Sequence, residues 1–133
     1  MKSILTFLLL GVLTIARGAG PNLSTNLSLD GEWSFALAAD ESAAQPLNGF
    51  QTEGFDAKAF RPIPVPSNWV MQGFEEPHFV NGTKSEGFYL HSFPVPAELK
   101  GKRTLLRFGG VWQSAEVWLN GTLLGRHDSG FTG

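Results

Sequence analysis

The side chains in this sequence that could do chemistry are a few carboxylates, three imidazoles and one polar loop, and their spacing decides how each is read. Glu75 and Glu76 are adjacent, so on extended backbone their carboxylates diverge, and no other spacing offers a paired acid and nucleophile. They read as a surface acidic pair, and no catalytic residue is assigned. His78, His91 and His127 lack the short spacing of a metal site, and a chain without Cys cannot supply the softer zinc geometries. No metal is expected, and the histidines read as packed or exposed. Gly109-Gly110 is followed by neither a helical pattern nor Gly-Lys-Ser, so it does not cradle a phosphate, and no cofactor is expected. What remains is the segment from Gly73 to Gly87, which mixes aromatic, amide, imidazole and charged residues without a strand pattern. A long loop leaving a rigid sheet is where binding groups tend to be placed.

The elements that must carry this loop are strands. Eleven Phe and four Trp favour pleated surfaces, sixteen Gly and eight Pro supply turns, and no long window repeats apolar residues at helical spacing. Asn120-Gly121 lies between two apolar runs and favours a two-residue type I′ turn, because both central residues must take positive φ. In the resulting hairpin Leu119 faces Thr122, Trp118 faces Leu123 and Val117 faces Leu124, which leaves a large apolar group on each face. Something should cover both sides. Thr104–Phe108 reads as another short strand, ended by a bend at Gly109-Gly110.

Earlier in the chain, Leu27, Leu29, Trp33, Phe35 and Leu37 share one phase and give a first strand with one core-facing side. Residues 38–54 have no sustained period and read as an excursion, with no site assigned there. Pro62, Pro64 and Pro66 remove backbone donors from one edge only, which suits an edge strand. Ser67 or Asn68 can then cap a short helical turn at Trp69. Residues 87–96 give a further strand with Tyr89, His91, Phe93 and Val95 in phase.

At the N-terminus, Lys2 precedes the apolar run Ile4–Ala16, and small residues follow at Gly18-Ala19-Gly20. Residues 1–18 are read as a cleaved secretory signal peptide; the alternative is a membrane anchor, but the run is shorter than the roughly 20 apolar residues that span a bilayer. The expected location is secreted or periplasmic, with no membrane association after cleavage. Removing Lys2 and Arg17 with the leader turns the formal charge of −2 into −4. No basic stripe is left, so nucleic acid is not an expected partner.

Three blocks carry a family resemblance. Leu29-Asp30-Gly31-Glu32-Trp33 with Phe35 is one; Val65-Pro66-Ser67-Asn68-Trp69, followed by Tyr89 and Phe93 of a Tyr-x-x-x-Phe strand, is the second. The third runs through Phe108-Gly109-Gly110-Val111, Ala115-Glu116-Val117-Trp118-Leu119-Asn120-Gly121 and Leu124-Gly125-Arg126-His127. In this order they resemble the N-terminal sugar-binding domain of glycoside hydrolase family 2, the β-galactosidase, β-glucuronidase and β-mannosidase group. The resemblance implies an all-β, antiparallel jelly-roll β-sandwich of the galactose-binding type. It assigns residues 27–133 to part of that domain, incomplete at its C-terminus, with 19–26 as a linker. It also implies a longer parent, in which immunoglobulin-like and (β/α)₈ barrel domains follow and two barrel glutamates perform retaining hydrolysis of a β-glycoside. This chain would be the parent's non-catalytic front segment, packing on the barrel and lending polar groups to the sugar pocket.

Family members place one such contact, often an Asn, in the loop before the Tyr-x-x-x-Phe strand. Asn81 and Lys84 are the candidates here, with ordinary loop solvation as the alternative for each. Trp118 could stack on a sugar but is read as sealing an interface, with Asn120 and Gly121 as its structural turn. Two other readings stay open, a stand-alone carbohydrate-binding module and a structural interaction domain that docks through the two-faced hairpin. With its closing strands missing, the segment alone is expected to be marginal or aggregation-prone.

Overall fold

The computed structural model describes residues 2–6, 26–77 and 84–128. Six strands account for most of the regular structure: β1 Lys2–Thr6, β2 Gly31–Ala38, β3 Arg61–Val65, β4 Glu86–Ser92, β5 Ser114–Leu119 and β6 Thr122–Asp128. The one α-helix among the described residues, α1 Glu41–Ala44, is a single turn capped by the Asp40 side chain. The all-β fold read from the sequence is therefore the fold that forms. The described strands lie in one sheet of order β3-β2-β4-β1-β5-β6.

Each strand's place follows from local chemistry. β3 sits at an edge, as its alternating prolines demand, with Ile63 opposite Trp33 and buried while Pro62 and Pro64 are exposed. β2 is paired along both edges, by β3 and β4, and both its faces are covered: Trp33 and Phe35 are buried on one, Ala36 and Ala38 on the other. The expected single core-facing side is thus corrected, because Leu47 and Phe50 of the following excursion cover the second face. β4 behaves likewise, with Phe88 and Tyr89 both buried on opposite faces.

Two apolar clusters result, one per face. Phe35, Trp33, Ile63 and Tyr89 form the first, with Trp69, Phe74, Leu106 and Leu119 packed on it. Ala36, Ala38, Leu47, Phe50 and Phe88 form the second, with Phe55, Phe60 and Trp118 around it. The excursion after β2 supplies that second layer. α1 and a 3₁₀ turn at Gln45–Leu47 bring Leu47 and Phe50 down, and Phe50 meets Phe88 edge-on with centroids 5.0 Å apart.

The hairpin forms where Asn120-Gly121 requires it, with φ of 49° and 78° at the two residues. Its register holds for two pairs, Leu119 with Thr122 and Trp118 with Leu123, and then slips at a bulge, so that Val117 meets Gly125 rather than Leu124. The extra residue puts Glu116 directly opposite Arg126. Two further differences from the sequence reading stand out. Residues 104–108 form no strand; Leu106 packs on the first cluster while Leu105 stays exposed. Lys2–Thr6, inside the expected leader, pairs in parallel with both β4 and β5, whereas the other ladders among the described residues are antiparallel.

Candidate functional site

The loop expected to carry binding groups is anchored by a short polar chain. After β3, Asn68 Oδ1 accepts from the Val70 N–H at 2.8 Å and the Phe74 N–H donates to the Trp69 carbonyl at 3.0 Å, closing the capped turn expected there. This turn lays the Trp69 ring against Phe35, stacked at 5.9 Å, while Phe74 meets Phe35 edge-on at 4.6 Å. Arg61 covers the Phe74 ring from 4.3 Å. Glu75 then bridges: one carboxylate oxygen accepts from Trp69 Nε1–H at 2.8 Å and the other from the Ser85 hydroxyl. The chain on both sides of residues 78–83 is tied to one carboxylate. Glu75 is therefore a structural anchor, which adjacency with Glu76 did not reveal.

Lys84, next to Ser85, is exposed at this rim. Asn81 lies outside the described residues, as does His78. Gly87, just beyond, is buried with no room for a side chain; a Cβ there would sit 2.9 Å from both Phe35 Cε2 and Trp69 Cζ3. His91 is packed, stacked on Trp33 at 4.7 Å. Among the described residues no group of three His, Asp or Glu side chains is placed to hold a metal ion.

Trp118 belongs to the opposite face, where it packs on the Phe88 cluster. The structure thus separates it from the Lys84 rim, which packs against the Phe35 face. Beside Trp118 is a cavity of about 270 Å³ between residues 47–51 and the β5–β6 hairpin. Glu116 and Arg126 edge it, paired at 2.8 Å, and Trp118 Nε1–H donates to the second Glu116 oxygen at 3.3 Å. Asn48 and Gln51 line it from the excursion, a segment to which the sequence reading assigned no site. Gly121, in the hairpin turn, would bring a Cβ within 3.6 Å of the Gln51 carbonyl, so turn and excursion lie side by side.

Against known proteins, residues 27–133 match the family model described as glycosyl hydrolases family 2, sugar binding domain. The chain is 32% identical to the β-galactosidase large subunit of Latilactobacillus sakei, with 90% of this chain and 24% of that protein covered. It is likewise 32% identical to the β-galactosidase of Vibrio cholerae, over 74% of this chain and 11% of that one, and to that of Lactobacillus delbrueckii subsp. bulgaricus, over 79% and 12%. The chain spans about a quarter or less of the length of these relatives. No solved structure gives a significant match.

Proposed function

We propose, on the premise that this chain belongs to the sugar-binding domain family of the family 2 glycosyl hydrolases, that it is the non-catalytic N-terminal segment of an exported β-glycosidase acting on β-galactosides. The observation that carries this reading is the match over 27–133 together with relatives that are β-galactosidases and several times longer. Hydrolysis belongs to a downstream barrel with its two glutamates, and this segment packs on that barrel through a (β-sandwich) surface of the jelly-roll class. Its contribution to the sugar pocket comes from the loop before β4, with Lys84 at the rim held by Glu75, and Asn81 and Lys84 are the groups that donate to hydroxyls of the bound glycoside. Anchoring the rim at Trp69 and Ser85 reduces the ordering cost of such a contact.

Export through removal of residues 1–18 has a structural consequence. β1 leaves the sheet, and the facing edges of β4 and β5 lose their ladder partner. A strand from the downstream part of the parent then takes that place. The test is to follow the reading frame past Gly133 and express the whole protein. Hydrolysis of o-nitrophenyl β-D-galactopyranoside, with Lys84→Ala raising KM more than it lowers kcat, is the expected result. A stop codon directly after Gly133, or a longer product inert on β-glycosides, overturns the proposal.

A further inference from the structure

β1 occupies the middle of the sheet although its residues, Lys2–Thr6, belong to the expected leader. It runs parallel to both neighbours, with residues 2–6 level with 88–92 on one side and residues 2–5 level with 116–119 on the other. Among the described residues, β4 and β5 are joined in the sheet only through it. Without β1 the ladder divides into β3-β2-β4 and β5-β6, yet side chains still connect the two parts: Trp118 of β5 packs on the cluster that holds Phe88, and Leu119 on the cluster that holds Tyr89. Between β4 and β5 lies a slot one strand wide, with backbone donors and acceptors on both walls.

The same residues face a second demand. Residues 4–16 are the apolar run of the expected leader, and Lys2 is its leading charge. In a bilayer such a run must satisfy its backbone groups within itself, as a helix. In the sheet, residues 2–6 satisfy theirs with β4 and β5. The two states exclude each other.

We infer that the slot between β4 and β5 is a docking site for the chain's own leader, so that folding of the precursor withdraws the leader from the membrane and closes the slot to any other strand. The inference rests on the export reading above and sets an order. Membrane engagement precedes folding, and another strand enters only after the leader has gone.

The test is hydrogen exchange on the full 133-residue chain, joined to vesicle binding. Flanked on both sides, the amides of residues 3–5 should exchange at least about tenfold more slowly than in an unfolded peptide of the same sequence. Ile4→Pro removes a donor from a strand paired along both edges and should abolish that protection; if the variant does not fold, the unaltered chain decides alone. Diluted from urea straight into vesicles of phosphatidylethanolamine and phosphatidylglycerol, the chain should bind. Folded beforehand, it should bind at least about tenfold less tightly, because only the fraction with β1 released is competent. Exchange of residues 3–5 at the peptide rate, or equal vesicle binding by the two routes, overturns the inference. Failure of a leader peptidase to cut the urea-unfolded chain near residue 18 ends the export reading instead, and slow exchange at residues 3–5 would still uphold the closed slot.

Discussion

Replacing Gly87 by alanine adds a single methyl group at a point where the two faces of an aromatic wedge converge. The new Cβ would lie 2.9 Å from Phe35 Cε2 and 2.9 Å from Trp69 Cζ3, with Trp69 Cε3 at 3.1 Å. Carbon atoms prefer separations of about 3.5–4.0 Å, so at least one ring has to move. Neither can do so freely. Phe35 is fully buried and wedged among Trp69, Phe74 and Tyr89, and Trp69 is tied to Glu75 through its indole N–H. Where φ suits an ordinary residue, Gly→Ala gains about 0.4–1 kcal/mol from the unfolded chain, but overpacking a closed core costs about 1–3 kcal/mol, and the second term wins. Gly87→Ala is expected to lower the unfolding free energy by about 1–2 kcal/mol in urea titrations followed by Trp fluorescence. Gly109 provides the control, since a Cβ there meets nothing within 4 Å, and Gly109→Ala should be neutral or slightly stabilising. If the two variants prove equally stable, the anchored wedge over β4 is not there.

The other expectations rest on separate features. Glu75→Ala leaves the Trp69 indole N–H and the Ser85 hydroxyl without their acceptor, a loss of about 2–4 kcal/mol, whereas Glu75→Gln keeps one acceptor oxygen and should lose about half as much; equal effects of Gln and Ala in urea titration would refute the bridge. Phe35→Ala empties the centre of its cluster and should cost about 3–5 kcal/mol by thermal unfolding, if the protein still folds. Gly121→Ala must hold a side chain at φ 78°, costing about 1–2 kcal/mol and weakening the hairpin, while Asn120→Gly should be tolerated; a silent Gly121→Ala would refute the type I′ turn. Burial pushes the Tyr89 phenol up to about 12 from its ordinary 10.0, so the folded chain holds this proton more tightly than the unfolded one. Stability from Tyr89 is therefore full below pH 10 and falls as pH rises towards 12, by at most about 1.4 kcal/mol per pH unit. As the only tyrosine, Tyr89 can be followed by tyrosinate absorbance, and ionisation centred at pH 10 in the folded chain would refute its burial.

What the sequence by itself determined was whatever a residue does to its own stretch of backbone. Asn120-Gly121 demanded a tight turn, alternate prolines placed β3 at an edge, Ser67-Asn68 offered a cap for the turn at Trp69, which Asn68 supplies, and the ordered motif blocks identified the family. Tertiary structure alone decided which distant residues meet. Glu75 looked like half of a surface pair, yet the fold sets its carboxylate between Trp69 and Ser85. Residues 47–51 had no period to announce them, but they cover the Phe88 face and wall the cavity beside Trp118. The bulge that aligns Glu116 with Arg126 lies only two pairs past the turn, where strand twist and packing against neighbours, rather than the turn residues, fix the register. Turns and caps are written in neighbouring side chains acting on the backbone between them. A contact across the sheet depends on the summed burial of both its faces, and no local pattern carries that sum.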